Sequence, residues 1–128
     1  MDGSELHRRS DEQAMELPQS VLEYPFGPEH AVYKVGGKIF LLLTVLAGEK
    51  IATLKALPSD GMALRDAHPD ITPGYHMNKR HWISLRAGGT LTSDMVSELV
   101  TESYRLVVAG LPRIRQPVEP DAFGRDQR

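Results

Sequence analysis

The chain has 128 residues, 41% of them hydrophobic and 25% charged, the make-up of a single globular domain able to hold a core without covalent staples. It contains no cysteine, which excludes a disulfide scaffold, thiolate metal sites and cysteine nucleophiles. Its net charge of −2 argues against a function driven by bulk attraction to phosphate.

The charge is unevenly spread. Residues 1–29 hold seven acids (Asp2, Glu5, Asp11, Glu12, Glu16, Glu23, Glu29) against Arg8 and Arg9, whereas residues 71–93 hold Lys79, Arg80 and Arg86 with no acid. The polar start, MDGSELHRRSDEQ, lacks the apolar stretch of a secretion signal. The longest apolar run, residues 39–43, falls far short of the ~20 residues a spanning helix needs. These features predict a soluble, cytoplasmic protein with no membrane partner.

Ser4 is the expected N-cap of a first helix reaching about Glu16, with Leu6, Ala14, Met15 and Leu17 as its apolar members and Pro18 ending it. Residues 18–29, with three prolines and a glycine, read as a loop anchored by Val21, Leu22, Tyr24 and Phe26. Gly36-Gly37 and Gly48-Glu49 then separate three β-rich runs, predicting antiparallel strands over 30–35, 38–46 and 50–56. The middle strand is apolar on both faces. Ile39, Leu41, Leu43 and Val45 alternate with Phe40, Leu42 and Leu46, so both sides of it are expected to be covered.

Pro58-Ser59-Asp60 opens a short helix capped by Ser59 and ending near Ala67. Residues 75–77 and 80–87 can pair as a hairpin turning at Asn78-Lys79. Thr92 or Ser93 caps a last helix whose stripe is Val96, Leu99, Val100, Ser103, Leu106 and Val107, with Gly110 as its C′ residue and Pro112 beyond. The order α-βββ-α-ββ-α predicts an α+β domain over residues 1–112, built on an antiparallel sheet of about five strands. Residues 113–128, rich in proline and alternating charge, are expected to form a flexible tail.

Four stretches carry a resemblance. Tyr24-Pro25-Phe26-Gly27-Pro28, the turn Lys34-Val35-Gly36-Gly37-Lys38, the run TPGYHMNKRHW at 72–82, and YRLVVAGLP at 104–112 resemble the MmcQ/YjbR family in order and spacing over residues 10–115. The resemblance implies a frataxin-like (CyaY-like) fold in a double-wing arrangement, and a DNA-binding role. It brings no established catalytic residue.

The residues point to chemistry only locally. A metal site needs several converging ligands, and His76 and His81 have only Asn78 between them and no acid nearby, so neither metal nor cofactor is expected. Tyr75, His76, Asn78 and His81 form at most a polar cluster for a ligand. Ser84 and Ser103 sit in no nucleophile-elbow pattern, and Asp66 and Asp70 flank a turn, so no catalytic constellation is expected.

Strand alternation places Arg80, Trp82, Ser84 and Arg86 on one face and His81, Ile83 and Leu85 on the other. Lys79, Arg80, Trp82 and Arg86 are therefore the expected DNA contacts, cations for phosphate and an indole for stacking. The competing reading has arginine stems covering a half-buried tryptophan. So few cations predict weak, salt-sensitive binding to DNA. The alternative is a protein- or small-ligand-interaction module without DNA affinity, in which strand 38–46 and the YPFG loop would support a homodimer or a partner site.

Overall fold

A computed structural model describes residues 1–75 and 77–124. Three helices and six antiparallel strands make an α+β fold: α1 (Gly3–Glu16), β1 (Val21–Glu23), β2 (Ala31–Val35), β3 (Lys38–Leu46), β4 (Glu49–Lys55), α2 (Pro58–Ala67), β5 (Ile71–Pro73), β6 (Trp82–Arg86) and α3 (Ser93–Ala109), followed by a 3-10 turn at Arg113–Arg115. The sheet order is β1-β2-β3-β4-β6-β5. α1 and α3 pack on each other and across β3 and β4. α2 lies on the same side, with Gly61 against Ile83. No described helix is long and apolar enough to cross a membrane.

The core is the helix-facing half of the sheet, where Tyr33, Leu41, Leu54, Ile83 and Leu85 meet Leu6, Val96, Val100 and Tyr104. Residues opposite each other across an antiparallel pair share a face, and the register Tyr33↔Leu41↔Leu54↔Ile83 traces this one. Expected strand alternation fails at one point. The register slips between Tyr33 and Lys34, so that Tyr33 opposes Leu41 but Lys34 opposes Ile39. Phe40 is the extra residue of a β-bulge. It turns inward with Leu41, both fully buried, and its ring meets Tyr104 edge-on at 5.4 Å. Ile39 is thereby moved from the face of Leu41 to the face of Leu42.

A bulge leaves backbone groups unpaired. Ser103 on α3 satisfies two of them: its hydroxyl donates to the Phe40 carbonyl at 2.6 Å and accepts from the Lys55 N–H at 2.8 Å. The helix stripe is centred on Val96, Val100, Ser103, Tyr104, Val107 and Val108, all buried, with Leu99 at its margin.

Several local expectations are corrected. β1 forms inside the segment read as a loop; three residues with two exposed are too few to show a period. Asp2 caps α1 through Glu5 N–H at 2.8 Å, while Ser4 instead accepts from Lys50 Nζ. α2 begins with Pro58 at its first position and has no side-chain cap, so Ser59 does not fill that role. The β3–β4 turn is Ala47-Gly48, with φ of 50° and 82°, not Gly48-Glu49. α3 does begin at Thr92, whose hydroxyl accepts from Met95 N–H. It ends by tightening, with Gly110 N–H donating to Val107 and φ at −83°, not by a left-handed C′ residue.

The tight hairpin at Asn78-Lys79 does not form. β5 ends at Pro73 and β6 starts at Trp82. Among described residues the only non-glycines with positive φ are Gln19 and Ala47, so neither Asn78 nor Lys79 makes a left-handed turn. Asn78 instead organises a wider loop: its side-chain oxygen accepts from Arg80 N–H at 2.9 Å, and its carbonyl accepts from His81 and Trp82 N–H at 3.1 and 3.0 Å.

Residues 113–124, expected to stay clear of the core, return along α3. Val118 and Phe123 pack against the core, the Phe123 ring lies 5.6 Å from that of Tyr104, and its carbonyl accepts from Arg105.

Candidate nucleic-acid interface

Trp82 opens β6 directly opposite Lys55, the last residue of β4. Its backbone is held from both sides, by Asn78 at its N–H and by Gly74 N–H at its carbonyl. Gly74 must lack a side chain, because a Cβ there would stand 2.6 Å from Trp82 Cβ. The indole is half-buried. It borders a hollow of about 490 Å³ at one end of the sheet, where the β2–β3 turn, the end of β4, the start of β6 and the end of α3 meet. Lys38, Lys55 and Met77 line the same hollow.

Further cations lie on the segments that flank it. Lys79 and Arg80 are exposed on the loop leading into Trp82. Arg115 reaches the β2–β3 turn from the 3-10 segment and donates to the Gly36 carbonyl at 3.1 Å. Among the described residues, the ion pairs are Arg8 and Arg9 with Glu12, Lys34–Glu23, Arg86–Glu49 and Arg105–Glu102; none involves Lys38, Lys55, Lys79 or Arg80. Two features oppose an anion. The C-terminal end of α3 carries a partial negative charge, worth about 0.3–1 kcal/mol near the surface, and Asp60 and Glu102 border a neighbouring hollow that Lys55 also lines.

The structure redistributes the residues expected from sequence. Lys79, Arg80 and Trp82 stay together. Arg86 does not join them: it sits at the far end of β6, roughly 13 Å along the strand at ~3.3 Å per residue. There its guanidinium pairs with Glu49 and donates to Thr72 at 3.1 Å. Ser84 shares the face but is fully buried, bonded to Thr53 and to Tyr75 N–H.

Tyr75 is exposed, Asn78 is spent on the loop backbone, and His81 is held through its backbone to Asn78 and Ala56. His76 lies outside the described residues. No group of three or more metal-ligating side chains occurs among those described.

Lys38 and Lys55 were missed from the sequence. Lys38 stands beside a turn and Lys55 ends a strand, so neither breaks a pattern. What brings Lys55 to Trp82 is the pairing of β4 with β6 across an intervening helix and strand.

Perturbed titratable groups lie elsewhere and are structural. Burial first, then the bond to Asp11 at 2.6 Å, pushes the Tyr33 phenol far above its usual range. The Thr90 hydroxyl and N–H hold the Asp70 carboxyl below its usual range. Burial also lowers His7.

The YjbR family model matches residues 15–106. The uncharacterized protein YbdF of Escherichia coli O157:H7 is 42% identical over 113 residues, spanning 88% of this chain and 93% of that one. The uncharacterized protein YjbR of Escherichia coli K12 is 32% identical over 79 residues, 62% of this chain and 67% of that one. Deinococcus radiodurans DR2400, whose domain is described as DUF419, superposes with a TM-score of 0.74 at 35% identity, covering 81% of this chain and 80% of that one. A Pseudomonas syringae protein gives 0.68 at 25% identity over 78% and 96%. The expected resemblance thus rests on the greater part of the domain, and the chain belongs to the YjbR family.

Proposed function

We propose that the protein binds DNA in single-stranded form, at the hollow beside Trp82, as a binding protein and not an enzyme. The observation that carries this reading is one aromatic face at a hollow lined by Lys38 and Lys55, with Lys79 and Arg80 on the loop leading into it and none of the four in an ion pair among the described residues. A base stacked on an aromatic side chain contributes about 1–3 kcal/mol whatever its identity, and flanking lysines and arginines track the phosphates. A hollow suits an unstacked base better than the closed stack of a duplex. Lys38 and Lys55 replace Arg86 in the contact set, which becomes Lys38, Lys55, Lys79, Arg80 and Trp82.

Trp82 is the only tryptophan of the chain, so its fluorescence reports on the site directly. Oligothymidylate added at low salt is expected to quench it saturably, more strongly than a duplex of equal length. Salt should reverse the quenching, and Lys38→Glu with Lys55→Glu should weaken it at least about tenfold. Absence of quenching at low salt, or quenching indifferent to the two charge reversals, removes this reading.

A further inference from the structure

The strand that is apolar on both faces raises a question that the basic hollow does not answer. The helices cover Phe40, Leu41 and Leu43. Leu42, Thr44 and Leu46 point to the other face, joined by Ile39 because of the bulge. That face has no helix. Two loops rise beside it instead: residues 24–30, before β2, and, before β6, a loop of which residues 74–75 and 77–81 are described. The second is pinned over the sheet by Tyr75 N–H donating to Ser84 at 3.1 Å. Since β3 and β4 lie between β2 and β6, the loops form opposite walls of a trough whose floor is β3.

Phe26 and His30 stand on one wall, Tyr75 and Met77 on the other, and the enclosed volume is about 560 Å³. Phe26 is 72% exposed and Tyr75 41% exposed, an unusual outlay of aromatic surface in a domain with few aromatic residues. We infer that this trough is a binding site for an uncharged, flat aromatic small molecule carrying at most one or two hydrogen-bonding groups.

Three observations select that occupant. The volume falls within the ~300–1,000 Å³ of sites that enclose drug-sized ligands. Among the described residues no side chain of Asp, Glu, Lys or Arg lines the trough, so a charged group would be desolvated there without a partner. Two exposed aromatic side chains in the lining favour a planar ring, which gains offset or edge-on contacts beyond its buried area. His30, Thr44 and Thr53 supply the few polar groups that would orient such a ligand.

The trough and the basic hollow share Ile39 and Met77 as a common margin but differ in chemistry. Their occupants therefore separate by charge, and this inference stands whether or not nucleic acid binds.

The test uses the whole chain and the neutral dye N-phenylnaphthylamine, which brightens in apolar surroundings. Saturable one-site binding is expected, unchanged between low and high salt and unchanged in Lys38→Glu with Lys55→Glu. Phe26→Ala, on an exposed loop with no core role, should weaken it about three- to tenfold. Leu42→Asp, on the trough floor, should weaken it more than tenfold. Circular dichroism checks the fold of both, and Phe26→Ala decides the matter alone if Leu42→Asp does not fold. Absence of saturable brightening overturns the inference. So does binding unchanged within about twofold in Phe26→Ala. Loss of dye binding with oligothymidylate quenching intact would remove the trough alone, and the reverse would remove only the nucleic-acid reading.

Discussion

A single histidine shows how burial becomes a measurable property. His7 sits on α1 with Nε2 3.0 Å from the Ile51 carbonyl. Desolvation lowers its pKa below 6.5, and the nearby Lys50 charge acts in the same direction, while the bond to Ile51 opposes them. A lowered native pKa means that the unfolded chain binds the proton first as pH falls. Stability attached to His7 is therefore complete above about 6.5 and is lost as pH drops through the native value. His7→Gln keeps a donor for Ile51 but cannot titrate. It should flatten the fall of stability below pH 6.5, by no more than about 1.4 kcal/mol per pH unit, one proton's worth. Urea denaturation at a series of pH values measures this, and equal slopes in the two proteins would refute the assignment. The lowered carboxyls of Asp2 and Asp70 act in a separate window, below their ordinary value of 3.8.

Among elements, the bulge in β3 does most to shape both candidate sites. It sends Phe40 to the core and Ile39 to the open face, and Ser103 stitches the break to α3. Ser103→Ala leaves a buried carbonyl and a partly buried N–H without their partner. The expected cost is about 1–3 kcal/mol, read from urea denaturation. Oligothymidylate binding should weaken with it, because Lys55 loses the bond at its own backbone nitrogen. A stability change under about 0.5 kcal/mol would show that water replaces the hydroxyl.

None of this was visible to a periodicity count. Strands β2, β3 and β4 were legible because two-residue turns with glycine separate β-rich runs, and α3 because its cap and stripe agree. β1 is too short to show a period. The bulge shifts the phase within β3, but a strand apolar on both faces does not record where its alternation breaks. The site was half legible for the same reason. Lys79, Arg80 and Trp82 are adjacent in sequence, whereas Lys55 reaches Trp82 only through pairing across α2 and β5. Arg86 was assigned by alternation to the right face but not to its partner Glu49, which lies 37 residues away.

At the scale of the whole molecule, charge decides how a polyanion can be held. The chain carries −2 overall, so no long-range field draws DNA in, and the acid-rich first segment largely folds as α1 on the helix-bearing side. In the proposed complex, attraction would come from one end of the sheet, where Lys38, Lys55, Lys79 and Arg80 have no ion-pair partner among the described residues. Each phosphate neutralised on a single strand contributes about −0.7 to the slope of log K against log salt. Up to four contacts predict a slope of about −2 to −3, so that affinity falls about 15- to 65-fold from 50 to 200 mM salt. Anisotropy of a labelled oligothymidylate across that range measures the slope. A value near zero would mean that the four cations touch no phosphate. A value steeper than about −5 would require a contact surface larger than this end of the sheet, such as two copies of the chain side by side on one strand. At the predicted slope, one chain and one end of its sheet suffice.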